Sequence, residues 1–348
     1  MAMTIQQALA IIVVGGSLSR EEMAAIMRLI MSGEATDAQI GGLLVGLRMK
    51  GESVEEVVGA AEVMRELATP VRVEGKHLVD LVGTGGDGAN LFNVSTGSAF
   101  VAAAAGAQVA KHGNRGVSSA SGSSDVLEAF GVPLDLSPEQ VARSIESVGV
   151  GFMFAPAHHS AMRFAIGPRK ELGLRTLFNM LGPLTNPAGV KRQVIGVYEA
   201  GLCHPVAEVL KALGAEHAMV VHSKDALDEI SIADGTYVTE LRQGNIESYE
   251  ISPEEFSIQR RSLDGLTVDG AGASAAVIQA ALNGEQSEVA SKAADMLALN
   301  GGATIYISGI APTFADGVAM AEDVLASGQA AEKLKSFVDF TQLMHGGA

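Results

Sequence analysis

Four stretches of the chain hold most of the residues that could do chemistry. The run Gly83-Thr84-Gly85-Gly86-Asp87-Gly88 puts four glycines into six positions. Glycines expose backbone N–H groups, and an apolar strand candidate, Leu78–Val82, leads straight into them. Ser95 and Thr96 follow where a helix N-terminus would face the same place, so this stretch reads as a cradle for an anion. Asp87 is awkward beside a phosphate, and makes sense on a ribose hydroxyl or a metal-bound water. The second stretch runs from Lys111 to Ser119 and holds two cations, an imidazole, an amide and two hydroxyls within nine residues of a strand end. Ser121-Gly122-Ser123-Ser124-Asp125 then opens another helix. Ligands of open α/β sheets bind outside the carboxyl ends of strands, so both loops should converge on one crevice. A ligand as highly charged as a pyrophosphate suits such a crevice.

The third stretch is Asp228-Glu229, just beyond an apolar strand candidate at Ala218–His222. Adjacent carboxylates can hold Mg²⁺, which takes oxygen ligands and bridges to phosphates; alone, such a pair is usually a surface feature. The fourth covers residues 154–187, where His158, His159 and Arg169 sit among apolar residues and two proline-containing loops. The histidines lack acid partners at zinc spacing. Arg169 is a candidate clamp for a substrate carboxylate.

The first glycine run formally matches G-x-G-x-x-G, the dinucleotide fingerprint. Two facts oppose that reading. The next strand ends in Lys111-His112, where an acid for ribose hydroxyls is needed, and Asn90–Asn93 separate the loop from its helix.

The elements that must position these residues fall into two regions. Residues 1–70 read as a small helical domain. Capping boxes occur at Ser19/Glu22, Thr36/Gln39 and Ser53/Glu56, each before an apolar run of helical spacing, and Gly33 and Gly51 stop two of the helices. Residues 71–348 read as an α/β domain. Short strand candidates at Leu78–Val82, Ala107–Lys111, Phe152–Phe154, Gln193–Val197 and Ala218–His222 alternate with helices such as Gly97–Ala105 and Ser137–Val148. That alternation implies a mainly parallel sheet covered by helices. Thr236–Leu241 and Ile246–Ile251 alternate with period two around Gln243-Gly244-Asn245, which predicts a β-hairpin, and the last third returns to helix.

Composition narrows the function. Apolar residues are 47% and charged ones 18%, a globular balance. A net charge of −16 argues against nucleic acid as a partner. A lone cysteine, Cys203, is expected to be a packed core residue. No apolar run reaches membrane-spanning length, and Ala8–Val14 reads as the first helix, so a cytoplasmic protein is expected.

Taken together, GTGGDG with Phe92-Asn93-Val94-Ser95-Thr96-Gly97, KHGNR with SS and SGSSDVLEAFG, FAPAHHSAM, and PRKELGLRTLFNMLGPLTNP resemble the anthranilate phosphoribosyltransferase family, in order and spacing, over nearly the whole chain. The resemblance implies an α/β fold of the nucleoside-phosphorylase/phosphoribosyltransferase kind, with a helical small domain through which the chain forms a homodimer. It implies transfer of a phosphoribosyl group from phosphoribosyl pyrophosphate to anthranilate, with Mg²⁺. Donor contacts are then expected from Gly83, Gly86, Asp87, Leu91, Asn93, Val94, Ser95, Thr96, Lys111, His112, Gly113, Asn114, Arg115, Gly116, Val117, Ser118, Ser119 and Ser123. Lys111 and Arg115 would stabilise the leaving group. Ser95, Asp228 and Glu229 would carry two Mg²⁺ ions per subunit. Gly83, Asn114 and Arg169 would contact anthranilate, with His112, His159, Met162 and Pro183 lining its approach. One departure stands out: relatives usually place Gly before the residue preceding the acid pair, and this chain has Ala226-Leu227. A left-handed turn there would strain Ala226. The alternatives are a pyrimidine nucleoside phosphorylase-like enzyme, against which the RTLFNMLGPLTNP block with Arg169 speaks, and a non-catalytic nucleic-acid-binding relative, against which the net charge speaks.

Overall fold

The structure is a computed structural model that describes residues 3–116 and 120–346. Four helices come first: α1 (Ile5–Ile12), α2 (Arg20–Met31), α3 (Asp37–Lys50) and α4 (Val54–Leu67). Each opens with a capping box, at Thr4/Gln7, Ser19/Glu22, Thr36/Gln39 and Ser53/Glu56, which satisfies two orphan donors per helix. The box at Thr4 escaped the sequence reading. Buried Glu56 also accepts from Leu18 N at 2.9 Å and pairs with Lys50 at 2.7 Å, joining α4 to α3 and to the connection between α1 and α2. Gly59 is required for the α2–α4 crossing, because a Cβ there would stand 2.3 Å from Arg20 O.

The chain then alternates: β1 (Leu78–Gly83), α5 (Val94–Ala104), β2 (Gln108–Gly113), α6 (Ser123–Ala129), α7 (Pro138–Val148), β3 (Val150–Phe154), the single turn α8 (Ala155–His158), α9 (Arg163–Leu172), α10 (Leu177–Leu184), β4 (Arg192–Gly196), α11 (Cys203–Ala212) and β5 (His217–Ser223). The hairpin β6 (Thr236–Arg242) and β7 (Asn245–Ile251) follows. Its turn has Gln243 at φ 52° and Gly244 at φ 80°, both left-handed, as a twisted two-residue hairpin demands. Helices α12 (Ala271–Leu282), α13 (Glu288–Ser308), α14 (Phe314–Ala326) and α15 (Gln329–Gly346) complete the chain.

One sheet has the order β3-β2-β1-β4-β5-β6-β7. The first five strands are parallel and the hairpin adds two antiparallel ones. Side chains alternate between faces. Met219 and Val221 join the cluster under α5, α13 and α14, while Ala218 and Val220 join one formed with α1–α4, α10 and α11. The N-terminal helices therefore share a continuous hydrophobic cluster with one face of the sheet. Among the described residues no helix is long and apolar enough to cross a membrane. Cys203 is buried and free, and burial raises its thiol pKa to about 11.

The fourth stretch departs from expectation. It is mostly helical: Pro168 lies inside α9 and Pro183 inside α10, and only Pro187 sits in a loop, between α10 and β4. Each interior proline forfeits one helical hydrogen bond, a cost of about 3 kcal/mol in a helix interior. Burial of Ala165, Leu177, Phe178 and Leu181 offsets it. Readable signals existed, namely Asn179, whose Oδ1 accepts Thr176 N–H at 3.0 Å at the start of α10, and the left-handed Gly173 (φ 59°) between the helices.

Candidate active site

Strand order reverses at β1, since the chain builds β2 and β3 on one side of it and β4 and β5 on the other. The crevice at the carboxyl ends of β1 and β4 is thus the favoured ligand position. The last residues of those strands, Gly83 and Gly196, are paired across the sheet. Asp228 sits directly over them. A Cβ on Gly83 would stand 2.4 Å from Asp228 Oδ2, and one on Gly196 only 1.6 Å from Asp228 O. Both positions must be glycine for the acid pair to reach the switch point.

The first loop folds as a cradle. Gly85, Gly86 and Gly88 adopt φ of 66°, 84° and 80°. Gly85 donates its N–H to Asp228 Oδ2 at 2.7 Å, and Thr84 N–H bonds Gly196 O at 2.9 Å. Arg175 donates to Gly86 O while its guanidinium lies 4.4 Å from the Tyr198 ring centre. Asp87 accepts from Ala89 N at 3.1 Å. Leu91 forms an isolated bridge with Thr267. Helix α5 then begins at Val94, close to the expected start. Ser95 N–H points at Glu229 Oε1 across 3.2 Å. Thr96 is fully buried.

The second loop meets the first, as the sequence reading required. Asn93 is the knot: its Nδ2 donates to Ser121 O at 3.3 Å, and its Oδ1 accepts from Ser121 Oγ at 2.7 Å and Ser274 Oγ at 2.8 Å. Ala120 N–H bonds Asn90 Oδ1 at 2.9 Å. Gly113 and Gly122 allow the loop to double back. Added methyls there would strike Ser123 Oγ and the backbone of Asn114–Gly116. Lys111 is buried, with Nζ 2.7 Å from Leu81 O and 3.2 Å from Ser95 Oγ. Arg115 is exposed and held by Asp125 at 2.9 Å and Glu128 at 2.5 Å, while Gly116 N–H bonds Asp125 at 2.9 Å. Asn114 is exposed, and its Oδ1 accepts from Arg115 N. Val117, Ser118 and Ser119 lie outside the described residues.

Electrostatics single out the acid pair. Burial pushes Asp228 up to about 7, and repulsion from Asp87 adds to it. Burial, then repulsion from Asp228, lifts Glu229 well above the usual carboxylate range. Burial draws the Lys111 pKa down, against the pull of Asp80 and Glu229. Buried Asp228 and half-buried Glu229 crowd together next to Ser95, whose N–H meets Glu229, and this oxygen-rich set fits Mg²⁺. Among the described residues no group of three or more His, Cys, Asp or Glu could hold a metal, so a zinc-type cage is excluded there. His158 Nδ1 instead contacts Thr69 O at 2.8 Å.

The Asp228–Glu229 loop carries the expected strain, since Ala226 has φ 69°.

On the neighbouring side, His112 Nδ1 contacts Gly182 O at 3.2 Å, next to Pro183. The His112 and His159 rings lie 5.1 Å apart. His112 Nε2 has no hydrogen bond, and His159 has only a weak approach to the Thr185 backbone. Burial lowers their pKa values to about 3 and about 4, so both rings are neutral at pH 7. Met162 is half-buried against the cluster shared with α1–α4. Arg169 is half-buried, lies 5.2 Å from the Phe178 ring centre, and has no carboxylate partner among the described residues.

Several participants were missed in the sequence. Asp80 is wholly buried beneath the site, receives Asn186 Nδ2 at 2.7 Å and His112 N–H at 3.3 Å, and is pushed up by burial to about 6. An aspartate inside an apolar strand was its readable signal. Gly196 and Arg175 gave no comparable local signal.

A helical bundle packed on a doubly wound sheet, with an acid pair and a glycine cradle at the switch point, has the plan of a two-part glycosyl transferase. The model described as "Glycosyl transferase family, helical bundle domain" matches residues 6–68, and "Glycosyl transferase family, a/b domain" matches residues 75–331. The anthranilate phosphoribosyltransferase of Saccharophagus degradans is 62% identical over 341 residues, covering 98% of this chain and 100% of the relative. The crystal structure of the Thermus thermophilus enzyme of that name superposes with a TM-score of 0.90 at 44% identity, over 96% of this chain and 99% of the other. The yeast enzyme of that name, in complex with PRPP and Mg, shares the fold at 24% identity with a TM-score of 0.88, over 97% of this chain and 98% of the other. The chain belongs to the anthranilate phosphoribosyltransferase family.

Proposed function

We propose that this chain transfers the phosphoribosyl group of 5-phosphoribosyl 1-pyrophosphate to anthranilate, giving N-(5-phosphoribosyl)anthranilate and pyrophosphate, the second step from chorismate to tryptophan. The observation that carries the reading is the meeting of the glycine cradle, the α5 N-terminus and Asp228-Glu229 at the β1/β4 switch point. The donor lies across Gly83–Thr96 and the Lys111–Ser123 loop. Ser95, Asp228 and Glu229 hold two Mg²⁺ ions, a choice supported by the crowded carboxylates and by the PRPP and Mg of the yeast structure. Magnesium, when bound, supplies positive charge to the pyrophosphate oxygens.

The bond from ribose C1′ to the pyrophosphate oxygen breaks, and its electron pair leaves with pyrophosphate. The anthranilate nitrogen gives its lone pair to C1′ and sheds a proton to the departing pyrophosphate or to solvent. An aromatic amine is already a free nucleophile, so this chemistry demands no strong base. The chain supplies positioning and charge instead. Lys111 braces Ser95 at the helix N-terminus, and Arg115 adds a cation at the loop rim. Arg169 receives the anthranilate carboxylate, with Gly83 and Asn114 at the same ligand. Neutral His112 and His159, with Met162 and Pro183, line the approach.

The chain works as a cytoplasmic homodimer, with residues 1–70 as the small domain and 71–348 as the catalytic one. Val13, Val14 and Met49 support the dimer: they are 73%, 81% and 83% exposed, the valines in the turn after α1 and Met49 on α3, two helices that pack together. The test is loss of anthranilate fluorescence in the presence of donor and Mg²⁺. Omitting either should abolish it, and Asp228→Asn with Glu229→Gln should remove both activity and Mg²⁺ dependence. Full activity in that variant would defeat the metal assignment. No consumption with every component present would defeat the function.

A further inference from the structure

The acid pair is bracketed. On its N-terminal side, Leu227 gives its N–H to Ser223 Oγ at 2.9 Å, and its carbonyl accepts Ser223 N–H at 3.0 Å. On its C-terminal side, Ile230 gives its N–H to Asn300 Oδ1 at 3.0 Å, and its carbonyl accepts Asn300 Nδ2 at 2.9 Å. Thus both polar groups of each flanking residue are tied down. The Leu227 and Ile230 side chains are each 1% exposed and sit in the main core. Asn300 is wholly buried in α13, and its second amide hydrogen goes to Met296 O at 2.9 Å.

Helix α13 also fixes the opposing wall. A Cβ on Gly97 of α5 would stand 2.7 Å from Leu297 Cδ2, and one on Gly301 of α13 would stand 2.9 Å from Val101 Cγ1. The two helices are therefore in close contact, and α5 presents Ser95 to Glu229 across 3.2 Å. One rigid helix holds Ser95 through α5 and the carboxylates through Asn300. A buried asparagine with this bonding is a costly way to fill a core, since an unpaired amide there is penalised.

The geometry points to Asn300 and Ser223 as positioning residues that set the separation of Asp228-Glu229 from Ser95, and through it the affinity for divalent cation and donor. This rests on the metal assignment proposed above. Neither residue touches the ligands; each acts through the backbone next to the acid pair.

The test titrates Mn²⁺ into the full-length protein with inorganic pyrophosphate present, reading free Mn²⁺ by electron paramagnetic resonance. Asn300→Leu and Ser223→Ala are compared with Thr341→Val, which removes a buried hydroxyl on α15, bonded to Phe337 O. Outer-shell partners of a metal site change affinity by about 10- to 100-fold. Asn300→Leu should therefore weaken Mn²⁺ binding about ten-fold or more and raise donor KM, with anthranilate KM nearly unchanged. Thr341→Val should lower melting temperature alone. Retained Mn²⁺ affinity in Asn300→Leu overturns the role of Asn300. Should that variant not fold, Ser223→Ala, which deletes one hydroxyl, decides the bracket by the same readout. Asp228→Asn separates the two readings. If it abolishes Mn²⁺ binding while the bracket variants leave it intact, only positioning fails. If it too leaves binding intact, the metal assignment falls and takes this inference with it.

Discussion

Replacing Gly196 with alanine adds one methyl group at the most crowded point of the site. The new Cβ would lie 1.6 Å from Asp228 O, 2.5 Å from its carbonyl carbon and 3.2 Å from its Cα. All three are backbone atoms, so no side-chain rotation relieves the clash. Non-bonded atoms settle near 3.5 Å, so Asp228 must retreat by about 2 Å. Its neighbours Leu227 and Ile230 are buried and doubly bonded, which confines that retreat to the acid pair. Overpacking of this kind costs typically about 1–3 kcal/mol, which a chain of this size survives folded. Function is more sensitive, because a misplacement of about 1 Å can cost about 10²-fold in rate. Gly196→Ala should therefore lower kcat/KM for the donor at least about 100-fold while far-ultraviolet circular dichroism stays native. The assay is anthranilate fluorescence over a Mg²⁺ series. Activity near the unmodified level with unchanged Mg²⁺ dependence would refute the placement of Asp228 over β4.

Three further outcomes follow from single groups. Ala226→Gly relieves a left-handed alanine worth about 1–2 kcal/mol, less about 0.4–1 kcal/mol for the freer unfolded chain. The melting temperature should rise by about 1 °C with activity unchanged, and a fall would show that the turn is not strained. Arg169→Ala should raise KM for anthranilate far more than for the donor, and equal rises would reject its carboxylate role. His112, held near 3 against an ordinary 6.5, binds fewer protons folded than unfolded between those values, so its contribution to stability is lost as pH falls below 6.5. Asp80, raised to about 6, acts oppositely, its contribution being lost as pH rises through that value. The difference in unfolding free energy between the unmodified chain and His112→Asn should shrink on acidification from pH 7 to 4, and a constant difference would show that the ring is not held neutral.

Much of this was legible because local rules agreed with the final fold. Capping hydroxyls at Ser19, Thr36, Ser53 and Ser137 announce helices whose first turns they complete. Period-two alternation around Gln243-Gly244 announces a hairpin whose left-handed turn it supplies. The convergence of both loops could be foreseen from strand-end position. Other features depend on atoms brought from afar. Gly196 looks like any residue at a strand end until Asp228, 32 positions later, settles on it. Asn300 is 70 residues from Ile230, and nothing near it in sequence hints at the bond. Pro168 and Pro183 argue locally against helices that tertiary burial then stabilises.

The hydrophobic cluster joining α1–α4 to one face of the sheet bears on how the chain is made. Synthesis delivers those helices before the sheet, yet after Met64 their next fully buried partner is Ala165, so about 100 residues must emerge before the shared core can close. During that interval Met23, Met27, Leu43 and Leu47 have only one another to pack against. The sheet-facing side of the nascent helices thus stays uncovered until the maturing sheet arrives to close it.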